Sequence, residues 1–90
     1  MKISVFGLGY VGIVSGACLA ESGHEVVGVD VAANKVDAVN AGACPIIEEG
    51  IAELVERTVT SGALRATTDA REAIENTDIS VVSVGGRQWI

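Results

Sequence analysis

Apolar and polar positions along this chain fall into two alternating patterns. Lys2-Ile3-Ser4-Val5-Phe6 is a short apolar run of strand length. From Tyr10 to about Ser22 the apolar residues recur at spacings of three and four, which predicts a helix with Val11, Val14, Cys18 and Leu19 turned to a sheet. Gly23 stands where helices commonly end, and His24 enters a second strand, Glu25-Val26-Val27-Gly28-Val29-Asp30. A helix is expected from about Ala33 to Asn40, carrying Val36 and Val39 and stopped by Gly42. Residues 43–50 read as a loop in which the chain's only proline, Pro45, keeps Cys44 extended. Ile51, Leu54, Val55, Thr58 and Val59 make one stripe of a third helix, from about Ile51 to Ser61, with Glu53, Glu56 and Arg57 on its wet face. A short strand follows at Leu64-Arg65-Ala66-Thr67. Asp69 and Glu72 have the spacing of a capping box before a short helix that ends near Asn76. Ile79-Ser80-Val81-Val82-Ser83-Val84 is the last strand.

The order β-α-β-α-α-β-α-β predicts an α/β fold: the first half of a Rossmann-type, doubly wound parallel sheet of about four strands, in the order 3-2-1-4. Residues 1–90 allow one small domain. A sheet ending at the fourth strand has an open apolar edge, so the fold is expected to lack a neighbour. Self-association through that edge is the corresponding alternative: a homo-oligomer, or a non-catalytic module that binds a nucleotide or a partner chain there.

Between the first strand and the first helix lies Gly7-Leu8-Gly9-Tyr10-Val11-Gly12. A G-x-G-x-x-G string in that context is the fingerprint of dinucleotide binding. Gly7 permits the sharp reversal after the strand, Gly9 lets a pyrophosphate approach the backbone, and Gly12 allows close packing of helix on strand. The loop holds no lysine or arginine, so the first helical N–H groups are expected to bind the anion. Asp30 closes the second strand, where an acid accepts hydrogen bonds from the adenosine ribose and repels the extra phosphate of NADP. The expected cofactor is therefore NAD. A generic glycine turn followed by a strand-ending aspartate is the bland alternative.

Composition narrows the partners. Almost half of the residues are apolar (49%) and only 3% aromatic, which suits a Val/Ala/Ile-rich α/β core. A formal net charge of −6 argues against nucleic acid or an anionic membrane surface. No apolar run reaches spanning length and no charged leader precedes one, so the expected location is cytoplasmic. Cys18 and Cys44, with His24 as the only histidine, make neither a disulfide framework nor a metal site. Cys18 is expected to be a core residue and His24 a packed turn residue. Cys44, Glu48 and Glu49 read as incidental loop residues. Lys35 is either a contact at the adenosine end or a solvated helix charge. Trp89 is expected to have no function.

Residues 1–12, Gly23-His24-Glu25-Val26-Val27-Gly28-Val29-Asp30-Val31, Lys35-Val36, Pro45-Ile46-Ile47-Glu48, Thr67-Thr68-Asp69 and the strand from Asp78 to Val84 together resemble the amino terminus of nucleotide-sugar 6-dehydrogenases. These form the UDP-glucose/GDP-mannose dehydrogenase family, and the resemblance leans to its GDP-mannose members. It implies an NAD site made by Gly7, Gly9, Tyr10, Val11, Gly12, Asp30 and Lys35. It also implies two-step, NAD-dependent oxidation of a sugar C6 alcohol to a carboxylate in the whole enzyme. That reaction draws on a cysteine, a lysine and an asparagine beyond residue 90, and neither Cys18 nor Cys44 matches the cysteine. The chain alone is thus expected to bind NAD without catalysing, with nucleotide sugar a ligand only of the longer enzyme. Two departures stand out. Glu49 occupies the place of a usual proline, and Val84-Gly85-Gly86-Arg87 replaces Val-Gly-Thr-Pro, so that motif's threonine contact to the nicotinamide side does not carry over.

Overall fold

The computed structural model describes residues 1–43, 50–84 and 87–89. Its elements run β1 (Lys2–Phe6), α1 (Tyr10–Glu21), β2 (Glu25–Val29), α2 (Ala33–Asn40), α3 (Ile51–Thr60), β3 (Leu64–Thr67), α4 (Ala70–Glu75), β4 (Ile79–Val84) and β5 (Arg87–Trp89). Eight of these follow the order expected from the sequence, with ends within a residue or two of those predicted.

The sheet has the order β3-β2-β1-β4-β5. β1 pairs in parallel with β2 and β4, and β2 with β3, which is the expected 3-2-1-4 core of a doubly wound sheet. The addition is β5, antiparallel to β4 with Val84 opposite Arg87 and Val82 opposite Trp89. The β4 edge expected to be open is therefore paired over three residues. The run Arg87-Gln88-Trp89 is too short to signal a strand in the sequence.

The main core packs α1, α2 and α3 on one face of the sheet, with Ile3, Val5, Ile13, Ala17, Val26, Val55 and Leu64 at its centre. On the other face Val27, Val29 and Phe6 meet Ala73 of α4. Nearby, the fully buried Ser4 hydroxyl lies 2.7 Å from Ser80 Oγ and accepts from Thr77 at 3.1 Å. At the outer edge, Asn40 pairs with the backbone of Ala66, donating through Nδ2 at 2.9 Å and accepting through Oδ1 at 2.8 Å. This amide serves as a one-residue surrogate strand beside β3 and ties α2 to the sheet.

The buried face of α1 differs from the expected one. Gly12, Ile13, Gly16, Ala17 and Ala20 are buried, whereas Val11, Val14 and Leu19 are half-buried and Cys18 is exposed. Small residues allow α1 to sit close to the sheet, and that closeness sets the helix rotation more strongly than side-chain hydrophobicity does.

The capping box at α4 is half formed. Asp69 accepts the Glu72 N–H at 3.1 Å, but the Glu72 carboxylate turns to Arg65 of β3 in a two-pronged pair at 2.7 and 2.9 Å. A charge-assisted, bidentate pair outcompetes a single backbone N–H. The Asp69 N–H instead donates to Thr67 Oγ1 at 3.0 Å.

Candidate functional site

The carboxyl ends of β1, β2 and β4 meet at the glycine turn. Gly7 leaves β1 with φ +99°, and its N–H donates to the Val29 carbonyl at 2.8 Å. A Cβ on Gly7 would overlap the Ser83 carbonyl oxygen, so both the backbone angle and the space exclude any side chain. A Cβ on Gly12 would overlap the Gly7 carbonyl oxygen. The third glycine therefore fits the first turn of α1 against the turn itself, more intimately than a general packing of helix on strand.

Gly9 behaves differently. It is the N-cap of α1 in extended geometry, no side chain caps the helix, and among the described residues a Cβ there would meet no atom within 4 Å beyond its chain neighbours. The first helical bond is Ile13 N–H to Gly9 O at 3.0 Å. The N–H groups of Val11 and Gly12 precede it, at the positive end of the helix dipole with no acidic residue in the first turn. Space over Gly9 clear of the described residues, amides below it and no acidic residue in the first turn of α1 suit a phosphate group.

Asp30 lies at the other side of the turn, immediately after β2. Its Oδ2 accepts the Leu8 N–H at 2.9 Å and its Oδ1 accepts the Ala32 N–H at 2.9 Å. Partial burial works against the charge. The Ala32 and Leu8 N–H donors, the Lys35 ammonium and the Val31 N–H outweigh it, and hold the carboxyl below its ordinary value. A carboxylate has about four acceptor positions. Backbone donors among the described residues fill only part of that capacity, which leaves room for a further donor.

Beside Asp30 a cleft of about 270 Å³ opens among Phe6, Gly7, Val31, Thr68 and Ala70. Val31 is 98% exposed at its rim, an apolar side chain presented to whatever enters. Tyr10 is 54% exposed at the mouth of the turn and Val11 is half-buried behind it. Lys35 is exposed on α2, near enough to Asp30 to act on its charge. The fold thus brings all seven expected residues to one end of the sheet. Sequence reasoning missed two others: Leu8, whose amide joins the turn to Asp30, and Gly28, over which the Leu8 side chain packs. The shortness of Gly28 in an otherwise β-branched strand was the available signal.

Among the described residues, His24 stands apart from this end. His24 is half-buried in the α1–β2 turn, as expected, and among the described residues its Nδ1 has no hydrogen-bond partner. Cys44, Pro45, Glu48 and Glu49, with Gly85, Gly86 and the side chains of Arg87 and Trp89, lie outside the described residues. No group of three metal-ligating side chains occurs among the described residues, nor is any helix there long and apolar enough to cross a membrane.

A parallel sheet with a glycine turn running into a helix N-terminus, and an acid at the end of the adjacent strand, defines a Rossmann-type dinucleotide-binding domain. Residues 1–88 match the UDP-glucose/GDP-mannose dehydrogenase family, NAD binding domain, and the chain belongs to that family. The chain is 53% identical over 85 residues to GDP-mannose 6-dehydrogenase of Pseudomonas syringae pv. syringae, covering 94% of this chain and 19% of that protein. It is 45% identical over 85 residues to UDP-glucose 6-dehydrogenase of Rhizobium meliloti, again covering 94% of this chain and 20% of the relative. In three dimensions it matches GDP-mannose dehydrogenase from Pseudomonas aeruginosa, solved as a ternary complex, with a TM-score of 0.92 at 47% identity. That match covers 94% of this chain and 20% of the solved one. The chain spans about a fifth of the length of the relatives it matches.

Proposed function

We propose that this chain supplies the NAD site of a nucleotide-sugar 6-dehydrogenase acting in the cytoplasm on a GDP-mannose-type substrate. The pyrophosphate sits over Gly9 on the amides of Tyr10, Val11 and Gly12, with Gly7 and Gly12 shaping the turn. Asp30 accepts the hydroxyls of the adenosine ribose, and Lys35 lies at the same end. NAD, when bound, supplies the hydride acceptor for oxidation of the sugar alcohol. The chain's own residues bind and orient it, while the catalytic groups belong to the longer enzyme.

The observation that carries this reading is the pairing, among the described residues, of clear space over Gly9 with an ionised Asp30 whose acceptor capacity is only partly used. A 2′-phosphate in place of a hydroxyl would meet that negative charge, so NAD is preferred over NADP. The substrate assignment rests on the higher identity to GDP-mannose dehydrogenases than to the UDP-glucose enzyme compared with it. Calorimetric titration with NAD and with NADP tests the site. Tighter binding of NAD, with the preference narrowed by Asp30→Ala, supports it; equal affinities in the parent chain contradict it. For the substrate, NADH formation by the longer enzyme with GDP-mannose but not UDP-glucose supports the assignment, and the reverse overturns it.

A further inference from the structure

The turn and the acid are joined through one residue, and that residue is seated by a glycine on the neighbouring strand. Gly28 is buried on the face of β2 that meets α1, under the Leu8 side chain. A Cβ on Gly28 would stand 2.6 Å from Leu8 Cδ2, 3.4 Å from Cδ1 and 3.5 Å from Cγ. Leu8 is only 3% exposed, so its side chain has no open side to swing into. A void bounded by Leu8, Gly12, Gly16 and Gly28 has about 10 Å³, the lower limit for a single water. The amide of the same Leu8 donates to Asp30 Oδ2 at 2.9 Å. Its side chain therefore fixes the height of the turn above the sheet, and its N–H transmits that height to the acid.

We propose that Gly28 is a positioning residue for dinucleotide binding: the notch it leaves in β2 seats Leu8, which holds the phosphate turn and Asp30 in register. The inference rests on the NAD site proposed above. Gly28 touches no ligand itself, so its contribution passes wholly through Leu8. Leu8 and Gly28 also form a size-exchange pair. Leu8→Ala with Gly28→Val leaves the total number of side-chain carbons unchanged, the kind of swap a packed core tolerates best.

The test compares Gly28→Val, Leu8→Ala and the double variant in the full chain, by NAD calorimetry, thermal melting and hydrogen exchange of the Leu8 amide without NAD. Gly28→Val overfills the notch and lifts the turn. Its NAD Kd is expected to rise about tenfold or more, the order for losing one hydrogen bond to a charged group. Leu8 amide protection falls with it. Leu8→Ala introduces no clash yet empties the seat, and lowers affinity although the Leu8 side chain is buried from the ligand. The double variant restores affinity and amide protection to within about threefold of the parent. The proposal is overturned if folded Gly28→Val, or Leu8→Ala should Gly28→Val not fold, binds NAD as the parent does. It is equally overturned if the double variant recovers its melting temperature but neither affinity nor Leu8 protection. A parent chain that bound no NAD would count against the site itself, while Leu8 protection across the same variants would still decide whether Gly28 seats the turn.

Discussion

The Asp30 carboxylate accepts the Leu8 amide at 2.9 Å across 22 positions of sequence, so the acid at the end of β2 is also a strut of the glycine turn after β1. Shaping the glycine turn and, on the proposed reading, holding the ribose therefore fall to one side chain. Asp30→Ala is expected to weaken NAD binding at least about tenfold, the order for losing hydrogen bonds to a charged group. It should also lower the melting temperature, because the Leu8 and Ala32 N–H groups lose their acceptor. Calorimetry and a thermal melt on the same sample check both. A variant that lost affinity at full stability would show that the strut contributes nothing.

The folded-state pKa of Asp30 lies below its ordinary value of 3.8. A carboxyl with a depressed folded pKa contributes stability that is fully present above the unfolded value and is lost as pH falls through the folded one. Melting temperatures followed from pH 6 downward should therefore fall more steeply for the parent than for Asp30→Asn once pH drops below about 4. Glu72, whose carboxyl is also depressed by its hydrogen bonds to Arg65, is present in both proteins and cancels in the comparison. Parallel curves would contradict the assignment.

Gly9 and Gly12 should separate binding from folding. Among the described residues nothing beyond the chain neighbours lies within 4 Å of a Cβ on Gly9, and its φ of −78° suits alanine. Gly9→Ala is expected to change stability by less than about 0.5 kcal/mol while reducing NAD affinity, because the methyl occupies the phosphate seat. Gly12→Ala drives a methyl into the Gly7 carbonyl, backbone that cannot step aside, and should cost about 3 kcal/mol or more. Urea titrations and NAD binding of the two variants give the check.

Asn40 provides a test of the fold remote from the ligand. Asn40→Ala leaves the Ala66 N–H and carbonyl without their side-chain partner at the sheet edge. A loss of roughly 1–3 kcal/mol in urea unfolding is expected, with NAD affinity of the folded protein unchanged. Asn40→Asp keeps the acceptor for Ala66 N–H but sets a negative oxygen against its carbonyl, and should recover none of the loss.

Cys18 is exposed on α1, on the side away from the sheet. In a Cys44→Ser background, iodoacetamide should modify it in the native state without altering NAD affinity. Protection until unfolding would return Cys18 to the core.

Much of the architecture could be read from the chain before any coordinates. Parallel strands buried on both faces are near-continuous apolar runs, and Gly7, Gly23 and Gly42 punctuate them where the backbone turns. The rotation of α1 was not legible. A helix that is apolar almost all round gives no stripe to orient it, and the deciding property is the smallness of Gly12, Gly16 and Ala17, expressed only when a sheet lies beneath. β5 was missed because three residues carry too little pattern, and its place is set by pairing with β4. That the glycine turn and the strand-end acid come together at one end of the sheet was legible, since both are local motifs. The Leu8–Asp30 bond and the Leu8–Gly28 seat are tertiary, joining positions that only the parallel pairing of β1 and β2 brings together.

The central claim is that amides at the start of α1 and the carboxylate after β2 hold one NAD molecule between them. Mapping backbone amide shifts of the chain by NMR as NAD is added tests it most directly. The account predicts the largest changes at residues 7–13 and 30–32, at the carboxyl ends of the strands. Changes centred instead on Lys2, Gly62 and Asn76 at the opposite end of the sheet, or none at saturating NAD, would contradict it.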